Sequence, residues 1–308
     1  KGGVNIANSG ANGVSVSGSI LDKEGNITVE NTTGSVVLTQ AGKITDNKGN
    51  ISISNTATDK GTTIAGEILA NEGNITLNNA GDKLDISGNI TDDKGGVNIT
   101  NNGTNGVNVS GTVLDKEGNI TLENNAGGLT VSTTGNITDE KGDMSITNSG
   151  DSGISVAGNI TGKNGTTQMT NTGKGITVAT TGTILEENGE MNISNTASDG
   201  INVLGYIKGE DSNIKLDNKD SDITIGEYDS DNDNYIDVNN GNITITQTNG
   251  NVLNGIVDPS NSTHTNYDLA NPNHSYKTLI STIGDNSNLV MNITDGDVGA
   301  YSNTEIPA

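Results

Sequence analysis

Aliphatic residues stand two apart in short pulses, and the pulses return on a fixed spacing. In residues 118–138 they are Ile120 and Leu122, then Leu129 and Val131, then Ile137, separated by Gly, Asn and small polar residues. The first pulse begins at Val4, Ile27, Ile51, Ile75, Val97, Ile120, Met144, Thr167, Met191 and Ile214, so successive starts lie 22 to 24 residues apart. The second pulse keeps step from Val14 and Val16 to Ile223 and Ile225, with Thr62 and Ile64 in one coil. The third runs through Ile20, Ile44, Ile68, Ile90, Val113, Ile137, Ile160, Ile184 and Ile207. A period this short, held through ten turns, specifies a solenoid.

A spacing of two places both apolar side chains of a pulse on one face of a strand and the intervening Thr, Ser or Asn on the other. A helix needs apolar residues three and four apart, and a coil holding several glycines cannot supply them. Three short strands per coil must then pair in parallel with their equivalents one coil away, roughly 4.8 Å along the axis. The predicted fold is all-β, a right-handed parallel β-helix of about 23 residues per coil.

The fifth position of every coil, counted from the first inward residue, is asparagine: Asn8, Asn31, Asn55, Asn79, Asn101, Asn124, Asn148, Asn171, Asn195 and Asn218. Asparagine tolerates a sharp corner, and its amide can bond the same amide one coil above and below, so a buried ladder is expected. Glycines stand two residues before the third strand, as at Gly111 and Gly135, and two before the first, as at Gly25, Gly49, Gly73, Gly118 and Gly189. They fit positions needing positive φ or close approach between coils. Alternate coils resemble one another most, which makes the duplicated unit about 47 residues.

Residues 1–225 carry the regular repeat. Residues 226–250 form an interrupted coil with an acidic insertion, because the match at Ile243 and Ile245 arrives 29 residues after Ile214. Residues 251–308 read as a decorated or irregular end, in which Pro259 and Pro272 oppose a central strand and alternation resumes at Leu289, Met291 and Ile293.

Composition narrows the core. With 43 glycines, 30% hydrophobic residues and no Phe or Trp among 308 residues, the chain holds little material for bulky globular cores. Strict Ile and Val alternation argues against disorder despite a formal charge of -23. All 15 basic residues are lysine, and so acidic a chain suits neither nucleic acid nor an anionic membrane surface, both of which demand a cationic face. No apolar run approaches the roughly 20 residues of a membrane span. Cysteine is absent, and Lys1 opens the chain in mid-pattern without a signal peptide, as expected of a piece of something longer.

The sharpest local motif is DSDNDNYID. Asp229, Asp231, Asp233, the Tyr235 carbonyl and Asp237 occupy positions 1, 3, 5, 7 and 9 of a Ca²⁺-binding loop, although Asn234 replaces the usual glycine and Asn240 the closing glutamate. The turns between third and first strands are charged, as in Asp22 to Gly25, Asp92 to Gly95, Asp115 to Gly118, Asp139 to Gly142 and Glu186 to Gly189. They read as a solvated edge in which Lys23, Lys94, Lys116 and Lys141 separate like charges, with a cation or basic-partner stripe as the alternative. His264 and His274 lie in a loop-rich stretch without a nucleophile or metal-ligand pattern around them, so no catalytic residues are assigned. The repeated NIT tripeptides at Asn26, Asn74, Asn119 and Asn136 match a glycosylation pattern but arise from the repeat itself.

The GNIT strand openings, the aliphatic alternation, the corner asparagine and the absence of cysteine together resemble the passenger repeats of filamentous haemagglutinin-type and leukotoxin-type surface adhesins. The resemblance covers residues 1–250 and implies an extracellular β-helical fibre on a bacterial cell surface, exported through a dedicated outer-membrane partner. It implies a stalk that presents binding loops to a host or bacterial surface protein or glycan. A self-assembling fibre or surface-layer component, and a polysaccharide-degrading enzyme on the same fold, are the alternatives.

Overall fold

The computed structural model describes residues 2–226, 235–254, 280–283 and 287–300. Among them are 35 strands and no helix. The strands fall into three parallel sheets, of twelve, twelve and eleven members, and each takes every third strand of the chain. Val4–Asn8 opens the first sheet, Val14–Val16 the second and Ser19–Asp22 the third. Eleven steps of about 4.8 Å give a rod of about 50 Å.

Register is set by like stacking on like. Ile27 lies beside Ile51, Ile51 beside Ile75, Ile75 beside Val97 and Val97 beside Ile120. These side chains and their equivalents in the other two sheets form one continuous buried core along the axis. β-Branched residues hold few rotamers, so stacked Ile and Val lose little side-chain freedom on packing. A one-residue slip would turn the whole row to water, which fixes the pairing.

Glycines do two kinds of work at the corners. Gly13, Gly106, Gly153 and Gly200 precede second-sheet strands with φ between 72° and 75°, a conformation that favours glycine. Gly118 has no such dihedral; a Cβ there would run into the carbonyl oxygen of Gly95 in the preceding coil. The column Gly25, Gly49, Gly73, Gly95, Gly118 and Gly142 is glycine because successive backbones nearly touch.

Past residue 226 the same three sheets continue. Ile236–Asn239 and Ile280–Ile283 extend the third, Ile243–Thr248 and Leu289–Thr294 the first, and Val252–Asn254 and Val298–Ala300 the second.

Candidate functional site

The corner between the second and third sheets is where the rod is decorated. From the first coil to the strand Tyr206–Glu210, two or four residues join these sheets. Ten residues separate Ile225 from Ile236, and in the next coil twenty-five separate Asn254 from Ile280. These coils are direct neighbours, Ile223 pairing with Val252 and Ile236 with Ile280. The roots of both long connections therefore lie on one edge of the rod, one coil apart.

On the outer face of the third sheet at this edge lies an aromatic and charged group found nowhere else among the described residues. The rings of Tyr206 and Tyr235 stack with centroids 6.3 Å apart and planes at 19°. Lys208 Nζ lies 4.7 Å from the Tyr206 centroid, a cation–π distance, and Lys208 stands in register with Asp237. Tyr235 is buried, and neither its hydroxyl nor Asp237 Oδ1 has a hydrogen-bond partner among the described residues.

Of the proposed calcium ligands, Asp229, Asp231 and Asp233 lie outside the described residues, as do His264 and His274. The Tyr235 carbonyl accepts the Ile207 N–H at 2.8 Å, and Asp237 belongs to the strand Ile236–Asn239. Position 7 thus adjoins the third sheet and position 9 lies in it. Among the described residues no group of three or more Asp, Glu or His side chains is placed to hold a metal ion.

The expected asparagine ladder is present in two runs. Asn8 donates to Asn31 and Asn31 to Asn55, at 2.7 and 2.9 Å. Asn79, Asn101, Asn124, Asn148, Asn171, Asn195 and Asn218 then donate each to the next at 2.6 to 2.8 Å, and Asn218 ends the run on Gln247 at 2.9 Å. Between the runs Asn55 turns to the carbonyls of Lys60 and Gly61, and Thr62 Oγ1 donates to Asn79 Oδ1 at 2.9 Å. The odd threonine of the second pulse thus supplies the donor that the break removes.

The charged turns depart from a uniformly solvated edge. Only their second and third residues face water, where Lys94 reaches Glu72 at 3.7 Å, Lys116 Asp93 at 2.6 Å, Lys141 Glu117 at 3.1 Å and Lys163 Glu140 at 2.9 Å. The first residue points inward: Asp46, Asp92, Asp115, Asp139 and Glu186 are all 0% exposed. The reason is corner closure. Asp115 Oδ1 accepts the N–H groups of Glu117 at 3.1 Å and Gly118 at 2.6 Å, and Asp46, Asp92 and Asp139 do the same in their coils. The inward parity was legible, since each acid stands two residues after an inward Ile or Val; the run of charge around it hid the signal.

The second oxygen sets the electrostatics. Oδ2 of Asp46, Asp92 and Asp115 is buried without a partner, whereas Asp139 Oδ2 accepts the Ile120 N–H at 3.0 Å. Burial pushes Asp92 up to about 6, against the opposing N–H groups of Gly95 and Lys94. It pushes Asp115 up to about 6 as well, with Asp92 and Asp139 adding to the rise, and it raises Asp139. Asp22, half-buried in the first coil with the same cap from Gly25 and Glu24, is lowered instead. At Asp22 the cap from Gly25 and Glu24 outweighs desolvation, whereas at Asp92, Asp115 and Asp139 desolvation is the larger influence.

A shallow recess of about 400 Å³ on the second sheet is lined by Asn105, Asn108, Thr130, Ser152, Ser155 and Lys83, among other residues that include no acid or histidine. No protein-family model, curated protein or solved structure matches the chain.

Proposed function

We propose that this chain is a segment of a secreted bacterial surface adhesin, a stiff spacer that carries binding loops on one edge. The observation that carries the reading is the pairing of a long unbroken rod with two long segments rooted at one corner of adjacent coils. Nearly every interior position is committed to stacking, so the repeat supplies reach and rigidity. Departures from the repeat are concentrated in residues 226–235 and 255–279, and the corner where 226–235 joins the third sheet carries Tyr206, Lys208, Tyr235 and Asp237. A surface protein or glycan is the partner class, with tyrosine faces and a lysine offering stacking and polar contact. Export through an outer-membrane partner belongs to the same reading.

The test is to display the chain on a bacterial surface and measure attachment to epithelial cells and to immobilised glycans. Replacing residues 255–279 with a four-residue corner should abolish attachment while far-UV circular dichroism keeps its β spectrum. Attachment that survives this replacement and a matching one of residues 227–234 would overturn the assignment of binding to this edge.

A further inference from the structure

The interior acids have a feature that corner closure does not require. An asparagine could accept the same two N–H groups, yet four buried corners use aspartate for it, and a fifth buries Glu186, whose carboxyl oxygens have no hydrogen-bond partner among the described residues. In register the column runs Asp46, Ala70, Asp92, Asp115, Asp139, Gly162, Glu186 and Gly209. At its far end the pattern changes in a concerted way. Gly162 has no side chain, the longer Glu186 replaces aspartate, and Thr167 takes an inward position held by Ile, Val or Met in every neighbouring coil. A Cβ on Gly162 would meet both Glu186 Oε2 and Thr167 Oγ1, so these two oxygens converge on the space that the glycine leaves. Both residues are buried.

We propose that the column from Asp92 to Glu186 is a proton-operated lock on the rod: the protonated carboxyl groups let the coils close on one another, and ionisation loosens them. The groups facing the column are acids. Asp92 faces Asp93 and Asp115; Asp115 faces Asp92 and Asp139; Asp139 faces Asp143; Glu186 faces Asp139, Asp143 and Glu187. Of the nearby cations, Lys94 and Lys141 are exposed and Lys116 and Lys163 half-buried, and their ammonium groups are held by Glu72, Asp93, Glu117 and Glu140. An ionised column therefore places Asp92, Asp115 and Asp139 in successive coils about 4.8 Å apart, with Glu186 two coils beyond, in a dry interior without a cation to offset them. Burial pushes Glu186 up to about 7, the Thr167 hydroxyl beside it pulling the other way.

The sign follows from linkage. Each of these carboxyl groups binds its proton more tightly folded than unfolded, so the stabilisation is complete below the unfolded value near 4 and is lost as pH rises through about 6 for Asp92 and Asp115 and about 7 for Glu186. Thermal unfolding of the whole chain, followed by circular dichroism in salt high enough to screen the surface, should give a midpoint lower by at least about 5 °C at about pH 8 than at about pH 5. Asp115→Asn with Glu186→Gln removes two titrating groups while keeping their shapes, and should halve that difference or better. Glu140→Gln with Glu187→Gln, on the solvated side, should leave it intact. Infrared spectra of the parent at about pH 6 should carry a protonated-carboxyl band, which tests the lock even if the double variant fails to fold. A midpoint independent of pH or rising toward alkali, a full pH difference in a folded double variant, or absence of that band would overturn the proposal.

Discussion

Removing one amide from the middle of the asparagine ladder tests how dry and how cooperative the rod interior is. Asn148 donates to Asn171 Oδ1 at 2.8 Å and to the Gly150 carbonyl at 3.1 Å, and it accepts from Asn124 Nδ2 at 2.6 Å. Asn148→Ala leaves the Asn124 donor and the Asn171 acceptor without their ladder partner, and both residues are 0% exposed. The Gly150 carbonyl loses a bond as well. At about 1–3 kcal/mol for each of the three buried polar groups left without its bond, the substitution should destabilise by about 3–9 kcal/mol. The same change at Asn8 removes a 2.7 Å bond to Asn31 in the open first coil, where water can replace it, and should cost about 1 kcal/mol. Urea titration followed by circular dichroism measures both, and limited proteolysis locates any local opening, because each coil of a solenoid is held only by its neighbours. Equal losses at the two positions, or less than about 1 kcal/mol at Asn148, would refute the picture of a water-free amide column.

Three further outcomes follow from the same physics. Gly118→Ala forces a Cβ against the Gly95 carbonyl and should destabilise by more than about 2 kcal/mol, read as a lower urea midpoint; a neutral result would show that the corners can spread. Lys141→Glu replaces a 3.1 Å ion pair to Glu117 with a like-charge contact and should cost up to about 1 kcal/mol at low salt, because both partners are substantially exposed, with the loss shrinking as salt is added. Thr62→Val keeps the shape but strips Asn79 Oδ1 of its 2.9 Å donor, so it should lower stability by about 1–3 kcal/mol; an unchanged melting temperature would mean that water takes the threonine's place.

The exposed turn residues give the two-coil repeat a physical reason. Down the third position of the turns the order is Glu24, Lys48, Glu72, Lys94, Glu117 and Lys141, one sign alternating with the other. A coil copied singly would stack Glu on Glu about 4.8 Å apart, whereas a copied pair keeps each charge beside its opposite.

Much of the rod is determined by sequence alone. Strands with apolar residues two apart, repeated every 22 to 24 residues, have no way to bury that face except against their own copies, so fold, register and asparagine ladder follow from pattern. Tertiary structure decided what pattern could not. Alternation from Val113 already points Asp115 inward, but only the fold shows what an acid does there: its Oδ1 caps two backbone N–H groups of the corner. The Thr167, Gly162 and Glu186 changes look unrelated in sequence, separated as they are by five and nineteen residues. Only the stacking of coils brings their atoms to one point. The long segments after residues 225 and 254 likewise share an edge only because 29 residues of chain return Val252 to the side of Ile223.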